Sequence, residues 1–456
     1  MFGKIKKLFF VGIGGSGMSG IAEILHNLGY QIKGSDNSPS EITDYLKKLG
    51  IDFYEGHRAA NLVDVDVVVI SSAVGEDNPE VVEARRLGIP VIKRAEMLGE
   101  LMRLKFSIGV SGTHGKTSTT SMIGSILQKG AYQPTIIVGG IVAELGTGAA
   151  LGTGEYLVAE ADEYDRSFLA MFPSIAVVTN LEADHLDCYE DEADLIDSFV
   201  SYMNRVPFYG QVILSADDVN LTSIRHRISR PFVTFGMSLD ADYRALNIKM
   251  AAGRTTFSVY KRGDLLGEVI LRVPGEFNVM NALAAIAVCT ELDVPFEKIA
   301  EGLLGFTGVG RRFDIIGEVN DIMVVDDYAH HPTEIKVTLE TAKKVYNRRV
   351  IVVFQPHLYS RTRDFRKEFA SALAIADKVL LADIYPAREK PIEGITSEII
   401  LKDALEMGFN QFEYIGPKEN APEKVKMMAQ PNDIILTMGA GSITIIKHKI
   451  MEMLKK

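Results

Sequence analysis

The chain has 456 residues, about three times a typical domain of ~150, so roughly two to four domains are expected. Its 47% hydrophobic and 24% charged residues suit a globular protein with several cores, and 49 basic against 60 acidic side chains leave a net charge of −11, which argues against a general nucleic-acid binder. Two cysteines, Cys188 and Cys289, exclude a disulfide scaffold and a four-cysteine zinc site.

Met1 to Lys7 is basic, but only the short apolar run Leu8 to Val11 precedes Gly12, too little for a signal-peptide core. No apolar run reaches the ~18 residues of a membrane span. The expectation is a reduced, cytoplasmic protein without membrane insertion.

The first segment, residues 1–103, opens as strand, glycine turn and helix. Leu8 to Val11 is the strand, Gly12 to Gly17 the turn, and Met18 to Leu28 has helical spacing with Gly29 as its stop. Tyr30 to Lys33 reads as a second strand running to Ser35 and Asp36. Val67 to Ile70 is a buried-type strand, and Pro79 to Leu87 a helix. This alternation predicts a parallel, doubly wound sheet. Gly12, Gly14 and Gly17 fit G-x-G-x-x-G after a strand, with Asp36 at the end of the next. The glycines imply close backbone approach to a pyrophosphate, and NAD or a UDP-sugar satisfies that equally.

The second segment, residues 104–312, repeats the plan. Lys105 to Val110 is a strand, Ser111 to Lys116 a turn and Thr117 to Gln128 a helix. Gly112-Thr113-His114-Gly115-Lys116-Thr117 therefore sits where a phosphate loop belongs. Backbone N–H groups would cradle phosphates, Lys116 would reach the terminal ones, and the Thr117 hydroxyl could take Mg²⁺. The Walker pattern asks for Gly at 110, where this chain has Val110. The strands Tyr156 to Ala159 and Ile175 to Thr179 run into acidic clusters, Glu160-Ala161-Asp162-Glu163 and Glu182 to Asp187 with His185. Carboxylates there face the nucleotide crevice of a parallel sheet and suit Mg²⁺. Val212 to Ser215 is a further strand, residues 243–273 read as short antiparallel strands, and Asn281 to Glu291 as an Ala-rich helix.

The third segment, residues 313–456, has strands at Ile322 to Val325, Val350 to Phe354, Val379 to Ala382 and Ile434 to Thr437. Two polar clusters follow strand ends. One is Asp326-Asp327-Tyr328-Ala329-His330-His331, the other Gln355-Pro356-His357-Leu358-Tyr359-Ser360-Arg361-Thr362-Arg363. Histidines and arginines so placed suggest a pocket for an anionic ligand.

Taken in order, GIGGSGMSG at 12–20, GTHGKTS at 112–118, AEADEYDRSF at 159–168, TNLEADHLD at 179–187, GEFNVMNALAA at 275–285, RRFD at 311–314, DDYAHHPTE at 326–334, FQPHLYSRTRD at 354–364, IYPAREKPIEGI at 384–395 and GAGSI at 439–443 resemble the Mur ligase family of bacterial peptidoglycan synthesis. The resemblance implies a Rossmann-like UDP-substrate domain, 1–103, and a central P-loop-type ATPase domain with a mostly parallel sheet, 104–312. It also implies a Rossmann-like C-terminal domain that binds the amino acid, 313–456. It implies ATP-dependent amide formation: a substrate carboxylate is phosphorylated, and an amine then displaces phosphate. Within the family the motifs are most similar to members that join L-alanine to UDP-N-acetylmuramate. Members that attach a preformed tripeptide, an NAD-dependent oxidoreductase and a non-enzymatic nucleotide binder are the alternatives.

By resemblance, Gly112, Thr113, His114, Gly115, Lys116, Thr117 and Ser118 hold the phosphates of ATP. Thr117 and Glu160 hold one Mg²⁺ and His185 a second ion, Mn²⁺ being a substitute. Asn278 and Asn281 contact adenine, and Arg312 and Asp327 help hold ATP. Gly14, Gly15, Ser16 and Gly17 meet the UDP pyrophosphate, with Ser35, Asp36, His57 and Ser71 nearby. His330, His357 and Arg361 surround the alanine, and Lys116, His185, His330 and Arg361 are the candidate catalytic set. Many alanine-adding members carry Arg where this chain has Leu358. The expected state is a monomer or homodimer with small-molecule partners and no nucleic acid.

Overall fold

The computed structural model describes residues 5–71, 73–138, 149–182, 188–387 and 389–455. Its strands form three sheets. The first contains β1 (Lys7–Val11), β2 (Gln31–Asp36), β3 (Asp52–Glu55), β4 (Val67–Ile70) and β5 (Val91–Lys93), in the order β3-β2-β1-β4-β5 and parallel throughout. Its central strands KLFFV and VVVI are apolar without alternation because helices cover both faces. Strand order reverses beside β1, so the ends of β1 and β4 open a crevice at the glycine turn.

The second sheet holds β6 (Phe106–Ser111), β7 (Thr135–Ile137), β8 (Ala149–Ala150), β9 (Tyr156–Glu160), β10 (Ile175–Val178), β11 (Gln211–Ser215), β12 (Phe232–Gly236), β13 (Tyr243–Ala251), β14 (Arg254–Lys261) and β15 (Asp264–Leu271). They lie in the order β15-β14-β13-β12-β11-β10-β6-β9-β7-β8. The pairs around β6 are parallel, which sets the phosphate loop between the acidic ends of β9 and β10. Two-residue links join β13 to β14 and β14 to β15, and neighbours so linked pair antiparallel, as the sequence predicts.

The third sheet holds β16 (Asp314–Val319), β17 (Ile322–Asp327), β18 (Arg349–Phe354), β19 (Lys378–Ala382), β20 (Phe412–Gly416) and β21 (Asp433–Met438), in the order β16-β17-β21-β18-β19-β20. Only β16 pairs antiparallel. The sequence reading does not contain β3, β5, β7, β8, β12, β16 or β20. They are short or lie toward sheet margins, and β3 (DFYE) and β16 (DIIGEV, with a register shift near Gly317) lack a strong apolar run. The helix expected from Asn281 begins instead at Glu276, because Gly275 at φ +98° supplies the turn before it.

Two compact units divide the chain. The first is Met1–Ile248 with Phe257–Ile270 and Val279–Thr307; the second is Lys249–Thr256, Leu271–Asn278 and Gly308–Lys456. Within the first, the two N-proximal sheets share a core. Leu98 and Leu101 of the helix Arg94–Met102 belong to one buried cluster with Phe168, Met171, Phe199 and Tyr202. A Cβ on Gly99 would lie 2.4 Å from the Ala170 carbonyl oxygen, so only glycine lets that helix seat there. In the second unit, Val325, Val352, Leu381 and Leu436 are buried in the third sheet.

Candidate active site

In the first unit the phosphate loop joins β6 to the helix Lys116–Lys129. Gly112 has φ +129° and Gly115 φ +85°, values that L side chains rarely adopt. Added Cβ atoms would meet Thr179 Oγ1 at 2.1 Å and Asn281 Oδ1 at 2.4 Å. The loop is clamped from the end of β10: His114 N–H donates to Asn180 Oδ1 at 2.8 Å, while Thr179 Oγ1 and Asn180 Nδ2 donate to the His114 carbonyl at 2.5 and 3.0 Å. Thr113 Oγ1 accepts from Glu182 N at 2.9 Å. Asn281 also accepts from Thr119 Oγ1 at 3.3 Å, so it braces the loop. Thr113 and Ser118 are buried, and Thr117 is half-buried at the first turn of the helix.

Lys116 Nζ donates to the carbonyls of Gly112 (2.7 Å) and Thr113 (3.3 Å) and to both oxygens of Glu163 (2.9 and 2.8 Å). Burial opposes charge on the lysine, but Glu163, Asp162 and Glu160 outweigh it and raise its pKa. Glu163, 1% exposed, is pushed by the same burial up to about 7 against the pull of Lys116. Tyr189 Oη donates to the Glu163 carbonyl at 2.5 Å. Glu160 ends β9, and with the Thr117 hydroxyl it offers oxygen donors only, which fits a hard cation such as Mg²⁺. His185, the expected ligand of a second ion, lies outside the described residues.

Two cavities flank the N-terminal glycine turn. One of about 570 Å³ is lined by Gly12, Gly14, Gly15, Asp36, His57 and Ser71 among others. The other, about 350 Å³, runs from Gly15 and Gly17 past Ser71 to Glu160 and Asp162. Asp36 Oδ2 accepts the Gly14 N–H at 2.9 Å, so its carboxylate fixes the turn from within. The backbone of Ser16 opens the helix Ser16–Asn27; its side chain is outside the described set.

Ser35 departs from the expectation of a substrate contact: it is fully buried and does not line either cavity. Its hydroxyl donates to Glu80 Oε2 at 2.6 Å. That same oxygen lies 3.0 Å from His57 Nδ1, and Glu80 Oε1 accepts from Asn61 Nδ2 at 2.7 Å. Ser35 thus supports the cavity: its side chain acts through Glu80 and His57, and its carbonyl accepts from Gly12 N at 2.8 Å and Ile13 N at 3.0 Å.

In the second unit, the ends of β17 and β18 gather the histidines. The rings of Tyr328 and His330 are 5.2 Å apart, His330 and His357 5.9 Å, and His357 and Tyr385 5.8 Å. Arg361 is 7% exposed in the helix Tyr359–Asp364. Glu389 caps that helix, accepting from Tyr359 N at 2.6 Å and Ser360 N at 3.0 Å. Leu358 precedes it at φ +71°, a strained value for a branched side chain. Arg311 and Arg312 both lie over the Tyr328 ring, at 4.7 and 5.1 Å. Asn278 Nδ2 donates to the Pro274 carbonyl at 2.6 Å.

Asp327 accepts from Phe313 N and Ala329 N, each at 2.7 Å, tying the segment Arg311-Arg312-Phe313 to the end of β17. Burial pushes its pKa up to about 6 against Arg312 and these two donors. The unfolded chain releases that proton near the ordinary value of 3.8. The folded state therefore holds more protons between roughly pH 4 and 6, and stability falls as pH rises through that window. Relative to Asp327→Asn, wild type should lose about 2–3 kcal/mol across it. Urea midpoints at several pH values measure the gap; a gap independent of pH would refute the assignment.

Sequence reasoning passed over Asn61, Glu80, Arg94, Thr179, Asn180 and Glu389, and took Glu163 only as one of the acidic cluster after Ala159. Thr179, Asn180 and Glu389 stand inside quoted motifs, which carried the resemblance without assigning them a role. Asn61, Glu80 and Arg94 lie in helical segments whose sequence gives no chemical signal.

Comparison with known proteins matches this arrangement. Residues 7–106 match the model described as Mur ligase family, catalytic domain; residues 110–289 match the Mur ligase middle domain; residues 311–441 match the Mur ligase, glutamate ligase domain. The UDP-N-acetylmuramate–L-alanine ligase of Geotalea uraniireducens is 52% identical over all of this chain and 99% of its own length. That of Geobacter sulfurreducens is 53% identical over 97% of this chain and 96% of its own. Among solved structures, the UDP-N-acetylmuramate-alanine ligase of Thermotoga maritima aligns with TM-score 0.83 at 32% identity, covering 98% of both chains. A murein peptide ligase of Psychrobacter arcticus aligns with TM-score 0.72 at 26% identity, also over 98% of both. With three successive domain models in place and half-identical relatives along its whole length, the chain belongs to the Mur ligase family.

Proposed function

We propose that the protein joins L-alanine to the lactyl carboxylate of UDP-N-acetylmuramate at the expense of ATP, releasing ADP and phosphate. The observation that carries this reading is the full-length identity of about half with ligases named for that reaction. The site is consistent with it. The smaller of the glycine-turn cavities leads to Glu160 at the end of β9, the strand beside the one that feeds the phosphate loop. A substrate held along that path brings its carboxylate toward the γ-phosphate.

A free carboxylate is a poor acyl donor, so phosphorylation must precede attack by the amine. The Lys116 ammonium and the backbone N–H groups of residues 112–117 other than those of Thr113 and His114, which are donated to Asn180, stabilise charge on the transferring phosphoryl group. Thr117 and Glu160 would hold Mg²⁺, which supplies further charge neutralisation when bound; His185 is the candidate for a second ion, and Mn²⁺ a candidate substitute. Asn278, Asn281, Arg312 and Asp327 are the proposed remaining ATP residues, although Asn281 and Asp327 spend their described hydrogen bonds on bracing. His330, His357 and Arg361 form the proposed amino-acid site, where a guanidinium suits a carboxylate. The proposed domains are 1–103 for the UDP-sugar, 104–312 for ATP and 313–456 for the amino acid. Among the described residues no helix is long and apolar enough to cross a membrane; we propose a cytoplasmic monomer or homodimer.

Phosphate release from ATP with Mg²⁺ and UDP-N-acetylmuramate tests the reading. Release should require L-alanine. Release with L-alanyl-γ-D-glutamyl-meso-diaminopimelate but not with L-alanine would move the protein to the murein peptide ligases, and none with either would refute both.

A further inference from the structure

Arg94 begins the helix Arg94–Met102 and is not part of the glycine turn, the phosphate loop or any quoted motif. Its side chain nevertheless lies on the turn. A Cβ on Gly17 would meet Arg94 Nη1 at 2.9 Å and Cδ at 3.4 Å. The third glycine of G-x-G-x-x-G here makes room for a guanidinium. Lys93 next to it is paired with Asp165 at 3.4 Å, whereas no carboxylate among the described residues pairs with Arg94. The helix is pinned by Gly99 against the Ala170 carbonyl and by Leu98 and Leu101 in the core, so the position of its first residue is fixed.

The smaller cavity gives that position a meaning. It shares Gly15 with the larger cavity, then continues past Gly17 to Glu160 and Asp162. Among the described residues, Arg94 is the one basic residue lining it. A UDP-sugar with its diphosphate over Gly14 and Gly15 and its nucleoside beside Asp36 and His57 sends its sugar into this second space. Any carboxylate on that sugar then approaches a wall carrying two acidic side chains. Like charges repel there unless a cation stands between them, and a guanidinium offers a planar, two-pronged match to a carboxylate.

We propose that Arg94 binds the reacting lactyl carboxylate of the UDP-sugar and aims it at the phosphate loop, so that it selects substrates bearing that group. This rests on the ligase reading above. The test is titration calorimetry of wild type, Arg94→Gln and Arg94→Lys with UDP-N-acetylmuramate and with UDP-N-acetylglucosamine, which lacks the lactyl carboxylate. Wild type should prefer the former. Arg94→Gln should weaken UDP-N-acetylmuramate about 10- to 100-fold and leave UDP-N-acetylglucosamine within about 2-fold, with Arg94→Lys between, since charge survives without the fork. Equal losses for both sugars would assign Arg94 to the diphosphate and overturn the proposal, as would no loss for either. Loss of both sugars in wild type itself would overturn the ligase reading as well. Thermal melts of both variants show that the comparison is made on folded protein.

Discussion

Replacing Lys116 by alanine should lower ATP-dependent phosphate release by about 10³-fold or more while the protein stays folded. The catalytic loss follows from position. Lys116 is the first residue of the helix after the phosphate loop, and its ammonium already lies against the Gly112 and Thr113 carbonyls. Nothing else in that loop is cationic except His114 when protonated. Loss of one partner from a buried ion pair ordinarily costs about 3–5 kcal/mol. Here the cost is limited, because burial already pushes Glu163 up to about 7 and, without the lysine, the carboxyl can take a proton. Glu163→Gln separates the two roles. It keeps a hydrogen-bond acceptor for Lys116 but removes the charge that holds the ammonium away from a phosphate, so it should bind ATP at least as well as wild type. Calorimetry with ATP and a thermal melt on each variant check both statements. An unfolded Lys116→Ala protein, or one with turnover within about 10-fold of wild type, would contradict this account.

Glu80→Ala should produce the largest loss of stability outside the sheets, about 3–5 kcal/mol. Glu80 is fully buried, and the substitution removes at once the acceptor for Ser35 Oγ, the acceptor for Asn61 Nδ2 and the partner of His57 Nδ1. Ser35 Oγ then keeps only His57 Nδ1, 2.9 Å away, and Asn61 Nδ2 only the Gly56 carbonyl at 3.1 Å, so a buried network loses its central acceptor and its members carry part of the desolvation penalty. Because His57 lines the larger cavity, binding of the UDP-sugar should weaken as well. Glu80→Gln keeps the volume and one acceptor and should recover part of both losses. Urea unfolding and UDP-sugar titration measure the two effects. A Glu80→Ala protein as stable as wild type would mean that the network contributes nothing beyond packing.

Much of this protein is determined by its sequence alone. Glycines at 12, 14, 17, 112 and 115 punctuate strand–turn–helix units, and their spacing places both glycine-rich turns without coordinates. Apolar runs such as Val67–Ile70 mark parallel strands because a strand covered on both faces cannot alternate. Motif order along the chain identifies the family, and several motifs, such as GIGGSGMSG, GTHGKTS and AEADEYDRSF, follow a strand into the turn beyond it. What the sequence does not determine are partners distant along the chain. Glu80 meets Ser35 across 45 residues, Lys116 meets Glu163 across 47, and Thr119 meets Asn281 across 162. Arg94 reaches Gly17 because one helix packs on another sheet. Side-chain periodicity reports only which face of an element is buried. Which carboxylate, amide or guanidinium it meets there is decided when sheets and helices are assembled, and that assembly turns Ser35 from an expected contact into a support.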